Sequence, residues 1–206
     1  TVLQKAHALS QKRQESSQKM SVEVESILGN LGMKNARFQV SLTQKSGTDL
    51  VQKCGPYGID NVEFPISANA GSQLLPLAKI ASGGELSRVM LALKTIFAET
   101  DSVGTLIFDE IDTGIGGEIA VNVGNHLKKL SSNRQILCIT HLASIAVYAD
   151  NQIKIEKGLE NGITESHVHL VTGEERVSEI ARMLSGSDDQ QSLEHARSLL
   201  EKFSCA

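Results

Sequence analysis

The stretch from residue 103 to residue 140 constrains the fold most. Two short apolar runs, residues 103–108 (VGTLIF) and 136–140 (ILCIT), flank a segment, residues 117–130, whose apolar positions recur at helical spacing. Antiparallel neighbours can be joined by a tight turn. Parallel neighbours need a crossover of a dozen or more residues, usually a helix. A strand–helix–strand unit with apolar strands predicts a parallel sheet buried on both faces, and so an α/β fold.

The rest of the chain adds to this centre. Residues 1–32 contain no proline and no glycine before Gly29, and read as one helix about 48 Å long at 1.5 Å per residue. A heptad lies on it: Leu3, Ala6, Ser10, Arg13, Ser17, Met20, Val24, Ile27 and Leu31. Its ends are apolar and its middle polar, which suits the terminal segment of a coiled coil or an amphipathic surface helix with a polar centre. Gly29 and Gly32 mark its end. Alternating runs at 38–43, 49–53 and 61–68, separated by SGTD and CGPYG, predict an antiparallel meander. Residues 83–99 predict a helix with Leu86, Val89, Met90, Leu93 and Phe97 on one face. Residues 152–156 and 165–171 predict a hairpin around Gly158–Gly162, and helices at 174–185 and 190–203 close the chain.

Composition excludes several functions. The net charge is −4, so the chain is not a uniformly basic nucleic-acid binder. Aromatics are 3% with no tryptophan, which argues against an aromatic platform for base stacking. Cys54, Cys138 and Cys205 form an odd set without paired spacing, which argues against a disulfide framework or zinc site and for a reducing, cytoplasmic setting. No run of about 18 apolar residues is present, so no membrane-spanning helix is expected. The first residues lack the apolar core of a signal peptide, and an initial threonine suggests a processed or excised chain. His167 and His169 share a strand face but lack an evident third ligand, so no metal is expected there.

Three constellations carry chemistry. Ser82 is a natural N-cap and Glu85, three residues on, can complete a capping box. Capping does not explain Gly83 and Gly84 in the first turn, each costing up to about 1 kcal/mol relative to alanine. Small residues there leave backbone amides open to an anion at the positive end of the helix. The apolar run 105–108 ends abruptly in Asp109, Glu110 and Asp112. Ligands of open parallel sheets bind beyond the strands' carboxyl ends. There a carboxylate can hold Mg²⁺ and a neighbouring one can orient or deprotonate water. The run 136–140 ends in His141, which emerges on the same edge if the strands are parallel.

The succession of glycine-capped helix, apolar strand with Asp-Glu, glycine loop 113–117, helix, and apolar strand with histidine resembles the ABC-type ATPases. Ser82, Gly83, Gly84 and Glu85 match the family's signature motif, 106–110 its Walker B strand, Asp112 its D-loop and His141 its switch histidine. LAKIASGGELSRVMLALK, TLIFDEIDTGIGG, ITHLASIAVYAD and RVSEIARMLSG are similar to the RecN family of bacterial SMC-like DNA repair ATPases. The resemblance implies the C-terminal half of such a protein: residues 1–32 as the returning end of a coiled coil, and 33–206 as the C-terminal lobe of an ATPase head. It implies ATP and Mg²⁺ as cofactors, with Asp109 at the metal and Glu110 polarising the attacking water. His141 would contact the γ-phosphate or that water. Ser82, Gly83, Gly84 and Glu85 would face nucleotide held by a second head, and Asp112 would couple the two sites. A P-loop would read G-x-x-x-x-G-K-[ST], and no Gly-Lys pair occurs in the chain. The implied partners are therefore the N-terminal half of the same protein, a second copy through ATP-sandwiched heads, and DNA at the nucleoid. Little DNA binding is expected of this chain alone, whose nearest basic cluster is Lys128, Lys129 and Arg134. A transporter ATPase subunit, or an ATP-gated DNA tether without significant turnover, are the alternatives.

Overall fold

The computed structural model describes residues 1–80, 82–160 and 163–204. The chain divides into two compact units, Thr1–Asp101 and Ser102–Ala206.

The first unit opens with α1, Val2–Asn30. Thr1 caps it, its hydroxyl accepting from the Gln4 amide at 3.4 Å. Gly32 stops it. With φ +86 it takes the left-handed turn, so the Met33 amide reaches the Leu28 carbonyl at 2.9 Å and the Gly32 amide reaches that of Gly29 at 3.4 Å. Of the nine heptad positions all but Leu3 are buried or half-buried, so within this chain the stripe is already in use. The helix packs on β1 (Arg37–Phe38) and, further on, on the helix α3 that begins at Gly83. Its apolar end, Val24 and Leu28, is fully buried. Its polar middle has a partner distant in sequence: Asp60, its side chain 2% exposed, accepts from Ser10 Oγ at 2.7 Å and Arg13 Nη1 at 2.9 Å.

The predicted meander forms as two small antiparallel sheets. β2 (Ser41–Gln44) pairs with β3 (Asp60–Glu63), and β1 pairs with β4 (Pro65–Ser67), which also takes β5 (Leu75–Pro76). The run 49–53 is not a strand. It is the helical turn α2, Leu50–Lys53, because the Asp49 carboxylate accepts the Gln52 amide at 2.8 Å and caps it. The helix α3 spans Gly83–Ile96. Its buried face is rotated from the expected one: Val89, Leu91, Ala92 and Leu93 are buried, whereas Phe97 at the C-cap is exposed.

The second unit holds the expected parallel pair. β6 (Thr105–Phe108) aligns with β7 (Gln135–Cys138), Thr105 opposite Gln135 and Phe108 opposite Cys138, and α4 (Gly117–Leu130) makes the crossover. The expectation of burial on both faces fails. Leu106 and Phe108 are buried, but Ile107 is 68% exposed and Leu137 and Ile139 are exposed as well. A strand's side chains alternate between faces, so a two-stranded sheet covered on one side leaves every second apolar residue bare. The short helix α5 (Ala143–Ala146), the hairpin β8 (Gln152–Glu160) with β9 (Ile163–Val171), α6 (Gly173–Ser185) and α7 (Gln190–Ser204) follow. The hairpin's turn, with Gly162, lies outside the described residues. Val147, Tyr148, Ile180, Ala181 and Ala196 form a core under α7, whose Phe203 ring lies 4.6 Å from that of Tyr148. Gly124 of α4 faces Tyr148 so closely that a Cβ would sit 2.4 Å from the ring.

Candidate functional site

In the first unit, Ser82 is extended at φ −98 and its hydroxyl accepts from the Glu85 amide at 3.4 Å, which starts α3 at Gly83. Gly83 is exposed, whereas Gly84 is buried. The accessible glycine edge is therefore Gly83 beside the cap, and Glu85 stands half-buried in the first turn. Ala81, the residue before the cap, lies outside the described residues.

The second unit gathers the acidic residues and the histidine. β6 ends at Phe108, and the backbone then turns sharply. Asp109 bends back on itself, its Oδ1 accepting from the Glu110 amide at 2.8 Å. Glu110 takes φ +56, the only non-glycine residue with positive φ among those described. That conformation costs a side-chain-bearing residue of order 1 kcal/mol or more, and such strain gathers at functional sites. Thr113 closes the turn, its amide donating to the Glu110 carbonyl at 3.0 Å. Asp109 and Glu110 are exposed, so both carboxylates stand at the carboxyl end of β6.

β7 delivers its end to the same edge. The Ile139 amide donates to the Phe108 carbonyl at 2.9 Å, which extends the pairing one residue beyond β7. Asp112 is buried and turned into its own chain, where Oδ2 accepts from Thr140 Oγ1 at 2.6 Å and from the His141 amide at 2.9 Å. His141 Nδ1 lies 2.9 Å from the same oxygen, on a ring 74% exposed. The field here is negative: burial first, then Asp112 and Asp109, push the Cys138 thiol up to about 12.

That field suits a cation. Mg²⁺ keeps several waters and takes only one or two protein carboxylates, the rest coming from substrate phosphates. Asp109 fits that role, and among the described residues no group of three potential ligands exists to hold a metal unaided. Cys54 and Cys138 are free thiols, and Cys205 lies outside the described residues. Of the basic cluster, Lys128 is paired with Asp150 at 2.6 Å and Arg134 is half-buried.

The sequence placed Asp109, Glu110, Asp112 and His141 on one edge, and the structure brings all four together. Ser82, Gly83, Gly84 and Glu85 stand in the other unit. Sequence reasoning gave no role to Thr140, whose only signal is its place between an apolar run and a histidine. It also missed the Asp60 cluster, whose partners lie far apart in the chain.

No family model matches the chain. Curated relatives do, over nearly its whole length. The chain is 52% identical over 200 residues, 97% of its length, to a DNA repair protein RecN of Treponema pallidum. It is 44% identical over 200 residues to that of Deinococcus radiodurans and 40% identical over 203 residues to that of Streptomyces coelicolor. It spans about a third of these relatives, 35%, 34% and 36% of their lengths. Among solved structures, an Smc head domain with an extended coiled coil from Pyrococcus furiosus aligns with 90% of the chain and 37% of its own length, at TM-score 0.50 and 19% identity. An Smc head domain with a coiled coil and joint from Pyrococcus yayanosii aligns with 89% of the chain and 28% of its own length, at TM-score 0.50 and 18% identity.

Proposed function

For a chain that resembles the C-terminal half of RecN in sequence and an SMC head in fold, we propose the role of C-terminal lobe in an ATPase head of a DNA double-strand break repair protein. The observation that supports this most is the edge of the parallel pair, where Asp109 and a strained Glu110 follow one strand and a histidine held by Asp112 follows the other.

Phosphoryl transfer by such heads is mostly positioning and electrostatics. When bound, Mg²⁺ supplies positive charge against the phosphate oxygens. Asp109 would hold that ion, its Oδ1 accepting from the Glu110 amide. Glu110, exposed at the turn after β6, orients the attacking water and takes its proton. His141 offers its exposed ring edge to the γ-phosphate or the same water. Ser82, Gly83, Gly84 and Glu85 present the start of α3 to nucleotide on a second head, since its open amides and dipole favour an anion. The P-loop and its lysine come from the N-terminal half of the same protein, so this chain alone does not turn over ATP. DNA is bound by the engaged heads of the whole protein, and only weakly by this chain, where Lys128 is committed to Asp150. No helix is long and apolar enough to cross a membrane among the described residues.

The test is Glu110→Gln in the full-length protein. The amide keeps the shape and loses the base, so ATP binding persists and turnover falls about 10²–10⁴-fold. Turnover within about twofold of wild type removes Glu110 from that role and favours a tether that binds nucleotide without using this residue.

A further inference from the structure

Asp112 is placed where a side chain reaching across to another subunit should not be. Its carboxylate is 5% exposed, and three donor positions of its own chain converge on one oxygen, Oδ2: Thr140 Oγ1 at 2.6 Å, the His141 amide at 2.9 Å and His141 Nδ1 at 2.9 Å. Thr140 Oγ1 donates to Asp112 Oδ2 and accepts from the Leu142 amide at 3.0 Å, so its rotor is set from both sides. The turn after β6 and the turn after β7 are thereby tied through a single buried oxygen.

An ionised carboxylate can only accept, so the imidazole nitrogen facing it must carry a hydrogen. We infer that Asp112, braced by Thr140, is a positioning residue that holds neutral His141 as its Nδ1–H tautomer and leaves the Nε2 lone pair free on the exposed side of the ring. Which ring nitrogen carries the proton is set by the bond the other makes. An Nδ1–H imidazole accepts a hydrogen bond from water at Nε2, and once protonated it donates there to a phosphate oxygen. An Nε2–H imidazole could only donate at that position. The ring is 74% exposed and contributes little to the core, so its fixation serves orientation more than packing. The consequence for catalysis rests on the ATPase reading above. The tautomer does not.

The experiment has two arms. In the 206-residue chain labelled with ¹⁵N-histidine, long-range ¹H–¹⁵N correlation spectra above the imidazole titration report each ring's tautomer, and His141→Gln assigns the signal among the six histidines. Wild type is expected to show His141 mostly Nδ1–H. Asp112→Asn, which keeps the shape and drops the charge, shifts it toward Nε2–H, and Thr140→Val shifts it less. The other five histidines serve as the folding control. An Nε2–H form in the wild type, or an unchanged tautomer in a folded Asp112→Asn, overturns the inference whatever the protein hydrolyses. In the full-length protein, Asp112→Asn is expected to lower kcat about 10-fold or more with KM for ATP unchanged. A normal kcat alongside a shifted tautomer refutes the positioning role. Unaffected turnover in Glu110→Gln instead counts against the ATPase reading and leaves the tautomer result standing.

Discussion

Replacing Arg13 with methionine tests how α1 is fastened to the first unit. The Asp60 side chain is 2% exposed and that of Arg13 27%, with Nη1 at 2.9 Å from Oδ2. Truncating one partner of a buried ion pair costs about 3–5 kcal/mol, because the other charge stays buried without compensation. Arg13 is a quarter exposed and Ser10 still donates to Asp60, so a loss of about 2–3 kcal/mol is expected. Asp60→Asn keeps an acceptor for Ser10 and removes the charge, costing about 1 kcal/mol. The double variant should lie well short of the sum. The sign with pH follows from Asp60. Burial alone would raise its pKa, but hydrogen bonds from Ser10 and Arg13 and the charges of Arg13 and Lys45 hold it below the ordinary 3.8. A depressed carboxylate stabilises the fold above its unfolded value, and that stabilisation is lost as pH falls through the folded value. The gap between wild type and Arg13→Met should therefore be full near pH 7 and narrow as pH falls below the ordinary 3.8. Hydrogen exchange read on peptides of α1 and β3 gives the local opening free energy at each pH. Strict additivity, or a gap that widens in acid, refutes the reasoning.

Other consequences are local. Gly124→Ala should destabilise the second unit by about 1–2 kcal/mol, since a Cβ 2.4 Å from the Tyr148 ring costs more than the helix propensity returns; a variant as stable as wild type in denaturant contradicts this. Cys138, with its thiol pushed up to about 12, should react with maleimide at pH 8 at least about 100-fold more slowly in the native chain than in urea, and equal rates would contradict that. In the full-length protein, Ser82→Arg should let one head bind ATP but block ATP-driven dimerisation, at the cost of an N-cap of about 1 kcal/mol. Dimerisation by a folded Ser82→Arg protein would mean that α3 does not face a second nucleotide.

What the sequence made legible was whatever a local rule decides. The crossover α4 falls on residues 117–130 because its apolar spacing is uninterrupted, and Gly32 ends α1 because the left-handed turn suits a glycine. The edge of the site was legible for the same reason: two apolar runs that must lie parallel carry their ends to one side. Other features were decided at a distance. Residues 49–53 alternate like a strand, but the Asp49 cap outweighs four residues of weak β preference. The polar centre of the heptad is a docking point for Asp60, dozens of residues later. The bare face of Ile107, Leu137 and Ile139 reflects which neighbours a strand has, and its own residues do not record that. For Asp112 the family resemblance implies a role in coupling two sites, and no local pattern in the sequence records that Thr140 and His141 supply the donors that let it stay buried.

Magnesium-dependent ATP turnover by this chain, alone and co-expressed with the P-loop half of the protein, tests the central claim most directly. The account predicts background rates for the chain alone, because its sequence holds no Gly-Lys pair of the P-loop that would cradle the β- and γ-phosphates. It predicts hydrolysis by the paired halves, reduced about 10²–10⁴-fold when the chain carries Glu110→Gln. Turnover by the chain alone, or by paired halves indifferent to Glu110→Gln, would contradict it.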